Sequence, residues 1–483
     1  MKFLIFGTGD YYERYKKWFP SKDVLALLDN SEKKQNTQID GIPVLAPEEG
    51  VKLPYDVIVI LSFYVKEMRQ QLYRLGVPEE RICHFYDLHG LICREDKKKP
   101  EIFWGGAREL AEDKARLKET ILLLSQDLEL GGPALALFYA AKALKKQGRR
   151  VLLASMIDGK LKERLLKEEI PVIVDANLQI GTMKDITWIR DFSLIICNTI
   201  NYHVFLSKRD SEIPVIWWLH DSPFFYHGVR KEILESIDRT NLLVCSVGPV
   251  PEKAIHRFLP DLKIKKQLYG VEDTGSASRR DRPKDSKGGG SIHFVTIGYI
   301  ESRKGQDILI QAVLSLPKSL KKRAKFSLIG QNSSAFAQDL MEITKDIPKV
   351  EITGPVDRDK INEILENADV LICPSREDPM PTVCAEAMMH QVPCLVSDAA
   401  GTAGYIEDGE NGLVFSCGDF KALRKKIEWC ISHYEELAVM GKNARKLYDK
   451  HFSMEVFEKG WKEMADSLLS VGREPFQKYR SVP

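Results

Sequence analysis

"DVLICPSREDPMPTVCAEAM" (residues 369–388) is the stretch that decides the fold. It opens with a short apolar run of the kind that fills a strand buried on both faces. A loop punctuated by prolines follows, and from Pro381 onward small and apolar residues predict a helix whose first amides have no intrahelical acceptor. Strand, loop and helix start, in that order, make an anion site, because unpaired N–H groups and the positive end of the helix dipole converge there. Asp378 and Glu386 flank it. Two carboxylates would repel an anion, so they make sense as partners for hydroxyl groups attached to one.

Outward from this stretch the chain repeats the same pattern. Short apolar runs alternate with amphipathic helical segments from end to end, which predicts parallel α/β layers. Two breaks divide the alternation. "CREDKKKPEIFWGGARELAEDKARLKE" (93–119) is charged, shows no strand pattern and reads as linker plus helix, whereas "DTGSASRRDRPKDSKGGGS" (273–291) is rich in Gly, Ser and charge and reads as a flexible linker. The expected modules are 1–92, 118–272 and 291–455, joined by 93–117 and 273–290. A C-terminal helix and tail, 456–483, is expected to pack back on the second module.

The chain has 483 residues, more than one ordinary core accommodates. With 71 basic and 69 acidic residues the formal charge is +2, which supplies no general field for nucleic acid. Nine cysteines are scattered, several inside apolar runs, and read as reduced thiols of a cytoplasmic protein. No CxxC pair or His cluster has zinc spacing. No apolar run reaches the ~18 residues of a membrane span, and the N-terminus does not read as a signal peptide. Peripheral membrane contact stays open.

In the first module, "KFLIFGTG" supplies Gly7 and Gly9 of a dinucleotide fingerprint, with Asp29 near the place of a ribose-binding acid. Tyr12 stands where the third glycine belongs, so a structural turn is favoured over a live nucleotide site. "DGIPVLAPEE" and "LYRLGVPEERI" resemble small Rossmann-like domains attached to sugar-modifying enzymes and some methyltransferases, which implies a fold and no activity.

In the second module, Gly131 and Gly132 precede Pro133 at a predicted helix start, where a ligand could approach the backbone; a plain tight turn explains them as well. His220 and Asp221 follow the apolar run of "IPVIWWLHDSPFFY", at the carboxyl end of a strand, where open sheets bind ligands. His220 reads equally as a substrate partner or as a structural histidine. In the third module, "IHFVTIGYIESRKGQDILIQAV" sets Arg303 and Lys304 just before Gly305 and a helix, two cations able to neutralise a diphosphate. Strands ending at Gly330 and Gly354 lead to the same sheet edge.

Taken in order, GYIESRKGQDILIQA, FSLIG, ITGPV, ADVLICPSREDPMPTVCAEAM, VPCLVSD and GTAGYIEDGENGLVF resemble the retaining GT-B glycosyltransferases of family 4, over residues 118–455. The resemblance implies two Rossmann-like catalytic domains facing a cleft, with the small N-terminal Rossmann-like α/β domain as an addition. The family's paired acids map onto Asp378 and Glu386, with seven residues between them and aspartate in place of the usual first glutamate; Glu377 is the competing assignment. The resemblance assigns Glu386 to ribose hydroxyls, Asp378 to the donor sugar, and Lys304 to phosphate. Arg303, Gly131, Gly132, Gly330 and the run Met380, Pro381, Thr382, Val383 complete the expected donor-binding set, and Tyr299 replaces a frequent arginine.

The function so implied is transfer of a sugar from a UDP- or GDP-sugar to a glycan, lipid-linked or other cell-envelope-type acceptor. No cofactor is expected, since the nucleotide-sugar is a substrate and no DxD-type motif implies a divalent ion. Two other readings stand beside it: a nucleotide-sugar epimerase or hydrolase on the same fold, and a catalytically silent scaffold that binds a partner transferase through residues 1–92; a partner protein for 1–92 is expected in either case only as an option.

Overall fold

The computed structural model describes residues 1–91, 99–105, 117–275 and 291–471. Most of the stretch read as linker after residue 92, the span 276–290 and the tail 472–483 lie outside the described residues. The chain forms two compact units. One comprises Met1–Val244, Ala254–Lys263 and the chain from Met464; the other comprises Cys245–Lys253 and Ile264–Glu463.

The first unit holds two sheets. Its N-terminal sheet runs in the order Gln38–Ile39, Ile42–Leu45, Val24–Leu28, Phe3–Phe6, Val57–Ile60, Ile82–His84, parallel throughout except for the first pair. Its second sheet places Val215–Leu219, Leu194–Asn198, Thr120–Ser125, Arg150–Ser155 and Val172–Val174 side by side and parallel. Thr120–Ser125, Leu194–Asn198 and Val215–Leu219 are buried along their whole length, as a parallel sheet covered on both faces requires.

The structure corrects the sequence reading of 93–117. Glu101–Phe103 is a strand, antiparallel to Val172–Val174 at the sheet edge. Three residues are too few to show a period, and Ile102 stays exposed, so the tertiary edge rather than hydrophobic pattern makes this strand. The sheets of 1–91 and 117–244 also form one unit rather than separate ones. Arg14 Nη1 pairs with Asp127 Oδ2 at 3.3 Å, Trp18 Nε1 donates to Gln179 Oε1 at 2.7 Å, and Arg230 Nη2 pairs with Asp87 Oδ1 at 3.1 Å. The last helix, Met454–Val471, begins before the expected residue 456, and beyond Met464 it belongs to this unit, where Arg149 pairs with Asp466.

The second unit is built on one sheet of six parallel strands, in the order Val350–Thr353, Ala324–Ile329, Ile292–Ile297, Val370–Cys373, Cys394–Ser397, Gly412–Phe415. Phe294 and Phe326 stack at 5.0 Å in its core, against Leu309, Val313 and Ile427 of the covering helices. The strand order reverses between Ile292–Ile297 and Val370–Cys373. At such a switch point the loops leaving the two strands diverge to opposite faces and open a crevice.

Candidate functional site

Both loops at that switch point carry the expected residues. After Ile297 the chain turns through Gly298 to a short 3-10 helix, Ser302–Lys304, and then to the helix Gln306–Ser315. Gly305 joins them at φ +71°, and a Cβ there would lie 2.1 Å from the Pro374 carbonyl oxygen. Only glycine fits, and the close approach presses this loop onto the one leaving Val370–Cys373. Gly330, at φ +156°, is likewise required, since a Cβ would lie 1.9 Å from the Gly298 carbonyl oxygen. Its role in this structure is therefore to let the backbones meet.

The result is an ion pair between sequence-distant residues: Lys304 Nζ stands 2.6 Å from Asp378 Oδ2. Burial disfavours the Lys304 ammonium, but the adjacent Asp378 carboxylate outweighs it and holds the pKa above the ordinary lysine value. Asp378 is 5% exposed, and its backbone is braced by the Gly401 amide, which donates to its carbonyl at 2.9 Å. Glu377, the competing acid, is half-buried; its backbone carbonyl accepts from Arg303 Nη1 at 3.0 Å. Arg303 Nη2 donates to Glu301 Oε1 at 2.6 Å. Arg303 thus ties the two loops together, a use the sequence did not indicate.

The helix Thr382–Met389 starts at Pro381 with no side-chain cap. The amides of its first turn are the donors that the sequence reading assigned to phosphate. Met380 and Pro381 are buried beneath that turn and Thr382 and Val383 are half-buried. Glu386 lies in the next turn, 4% exposed. Burial pushes its carboxyl up, and the Arg358 guanidinium, 2.9 Å away, partly offsets this. Arg358 opens the helix Arg358–Asn367 directly after the loop leaving Val350–Thr353. Sequence reasoning missed it, although the cation at a helix start beside the ITGPV loop was a visible signal.

In the first unit, Gly131 and Gly132 lie at the switch point of the second sheet, between Thr120–Ser125 and Leu194–Asn198. Both are exposed, and a Cβ on either would meet nothing within 4 Å, so crowding within the protein does not explain them. Across the switch point Thr199 holds φ +75°, ψ 167°, a region nearly restricted to glycine. Its amide donates to the Trp218 carbonyl at 2.8 Å, and its own carbonyl accepts from Trp217 Nε1 at 2.8 Å, bonds that hold the strained residue in place. His220 and Asp221 follow directly after the neighbouring strand, Val215–Leu219, 3% and 6% exposed. Burial lowers the His220 pKa to about 3, leaving a neutral ring 4.2 Å from that of Trp218. Burial raises Asp221 to about 7, against the Ile200 amide that donates to its Oδ2 at 2.6 Å.

In the N-terminal sheet, Asp29 accepts hydrogen bonds from Thr8 and, at 3.2 Å, from Lys34 Nζ, and Tyr12 is buried with its hydroxyl 3.0 Å from Asp40 Oδ2. The fingerprint positions are thus engaged in local contacts. Among the described residues no group of three or more His, Cys, Asp or Glu side chains converges as a metal site. No helix among them is long and apolar enough to cross a membrane.

Fold and switch-point sites together define the class: an α/β protein of Rossmann-like parallel sheets, as in GT-B glycosyltransferases. Comparison with known proteins agrees. Residues 277–447 match the family Glycosyl transferases group 1, and residues 1–83 match the family C2185-like, N-terminal. The chain is 23% identical to spore coat protein SA of Bacillus subtilis over 307 residues, 58% of this chain and 78% of that protein. It is 29% identical to the capsular polysaccharide biosynthesis glycosyltransferase CapM of Staphylococcus aureus over 171 residues, 35% of this chain and 43% of that one. Among solved structures, Anabaena Alr3699/HepE in complex with UDP-glucose superposes with a TM-score of 0.60 at 22% identity, covering 72% of this chain and 99% of that one.

Proposed function

We propose that this protein is a retaining glycosyltransferase that moves a sugar from a nucleotide-sugar to a glycan or lipid-linked acceptor of the cell envelope. The observation that carries the reading is the Lys304–Asp378 pair beside the uncapped helix start at Thr382, with buried Glu386 one turn on. A diphosphate seated there meets the Lys304 ammonium, which has three N–H donors and commits one to Asp378, together with the first-turn amides. The two carboxylates accept from hydroxyls: Glu386 from the ribose, Asp378 from the transferred sugar. Hydroxyl-bearing ligands suit Glu386 because Arg358 offsets the burial of its carboxylate only in part, and a carboxylate has acceptor positions beyond the one Arg358 takes.

The bond from the anomeric carbon to the diphosphate oxygen breaks while the acceptor oxygen bonds to the same carbon from the same face. The acceptor proton passes to the departing phosphate oxygen. Lys304 and the amides hold the charge that develops on that oxygen, and Arg303 keeps their loops in register. Neutral His220 serves as a hydrogen-bond partner for substrate rather than as an acid. CapM is named for capsular polysaccharide biosynthesis and HepE for complexes with UDP and UDP-glucose, which supports testing envelope glycans and UDP-sugars first.

The test is a thermal-shift panel of UDP-, GDP-, ADP- and dTDP-sugars on the full chain, followed by NMR of the product's anomeric configuration. A ligand at 100 times its Kd adds about 2.7 kcal/mol to stability. A panel without any stabilising nucleotide-sugar rejects the reading, and an inverted product rejects retention.

A further inference from the structure

Two aromatic segments far apart in the sequence meet in the first unit. Phe63 and Tyr64 end the loop that leaves Val57–Ile60, and Phe224, Phe225 and His227 follow directly after His220 and Asp221. Phe63 lies 5.8 Å from Phe224 and 4.9 Å from Phe225, ring centre to ring centre. Tyr64 lies 6.1 Å from Phe224, and His227 lies 5.5 Å from it on another side. Tyr11 packs beneath Phe63 at 4.3 Å and fixes its ring. The outer members are not covered: Tyr64 is 62% exposed, His227 is exposed, and Phe224 and Phe225 are half-buried. One exposed aromatic is ordinary, but a contiguous group shared by two segments is an interaction surface.

Two observations narrow what it binds. Aromatic faces carry negative charge density and attract polarised C–H groups, and one face of a pyranose ring presents a row of them. The segments 62–64 and 222–227 contain no Asp, Glu, Lys or Arg, so the ligand they suit is uncharged. In the same turn Ser222 and Tyr226 are buried, so the contact surface is made by the ring faces of Tyr64, Phe224 and Phe225.

We infer that this aromatic shelf holds an uncharged pyranose ring of the acceptor glycan, and that the N-terminal sheet serves the reaction by supplying half of it. The word acceptor rests on the proposed function; the sugar site stands independently of it. Tyr64 is the N-cap of the helix Val65–Arg74 through its backbone carbonyl, which accepts from the Met68 amide, and its side chain caps nothing, so truncating the ring leaves that helix start intact.

The experiment applies the full chain to an array of uncharged chito-, malto-, cello- and galacto-oligosaccharides, with a parallel UDP-glucose thermal shift. The wild type binds at least one series. Tyr64→Ala and Phe224→Ala each weaken that binding about tenfold, as removal of an anchoring ring does, while Tyr64→Phe retains it. The UDP-glucose shift is the same in all four proteins. Absence of oligosaccharide binding by the wild type, or unaltered binding by both alanine variants, overturns the site. So does light scattering that shows the substitutions splitting a dimer, which makes the shelf a contact between copies. Shelf-dependent sugar binding without any nucleotide-sugar shift leaves the site standing and removes the transferase reading.

Discussion

Asp221→Asn and His220→Gln form a pair whose effects on the pH dependence of stability have opposite signs. Folding leaves His220 neutral, with its pKa near 3, and Asp221 protonated up to about pH 7. Asp221 therefore contributes stability that is full below the ordinary carboxylate range and is lost as pH rises to about 7. His220 contributes stability that is full above the ordinary histidine value and is lost as pH falls toward about 3. Each pH unit carries about 1.4 kcal/mol for each group. Between about pH 4 and 6.5 the two slopes cancel in the wild type, because the folded pair holds its one proton on Asp221 and the unfolded pair holds it on His220. Asparagine keeps an acceptor for the Ile200 amide and removes the titration. As pH rises from about 4.5 to 6.5, Asp221→Asn should gain about 3 kcal/mol relative to wild type, and His220→Gln should give up about as much of an advantage that is largest at the acid end. Urea unfolding read by hydrogen exchange of the peptide covering Val215–Leu219 reports on the strand that leads directly into both residues. A flat difference for Asp221→Asn would show an ionised Asp221 in the fold and refute the argument.

Lys304→Ala leaves the buried Asp378 carboxylate unpaired and should cost about 3 kcal/mol, the lower end for a broken buried pair because Lys304 keeps 22% exposure. Adding Asp378→Asn should restore the urea midpoint without restoring transfer; a double variant as unstable as the single one contradicts the pairing. Glu386→Ala should lose roughly 1.5–3 kcal/mol of donor binding by calorimetry, and wild-type affinity would remove Glu386 from the ribose site. Gly305→Ala combines a left-handed φ with a Cβ 2.1 Å from a carbonyl oxygen, and should lower the stability read from urea unfolding by about 3 kcal/mol or more. EDTA should leave turnover unchanged, since Lys304 and the helix amides are assigned the diphosphate charge; activity lost on chelation and regained with Mn²⁺ rejects that assignment.

Much of this protein was determined locally. Strand 370–373, the loop after it and the helix from Thr382 are written in consecutive residues, because buried parallel strands need unbroken apolar runs and helix starts need Pro or small polar residues. The same holds for Gly305 and Gly330, whose backbone conformations exclude other residues. Strand order was not written there. Placing Ile292–Ile297 beside Val370–Cys373 is a choice among sheet pairings with similar local patterns, and only that choice brings Lys304 to Asp378. Arg303 as a brace was equally hidden, and Arg358, visible as a cation at a helix start, showed no sign of its partner Glu386, because a long flexible cation finds its partner through whatever the tertiary structure sets within reach. The three-residue strand Glu101–Phe103 and the docking of Arg14 on Asp127 depend on a neighbouring sheet edge rather than on any period in the chain. The protonation states of His220 and Asp221 came from burial, a property of the surrounding fold that adjacent letters in a sequence do not carry.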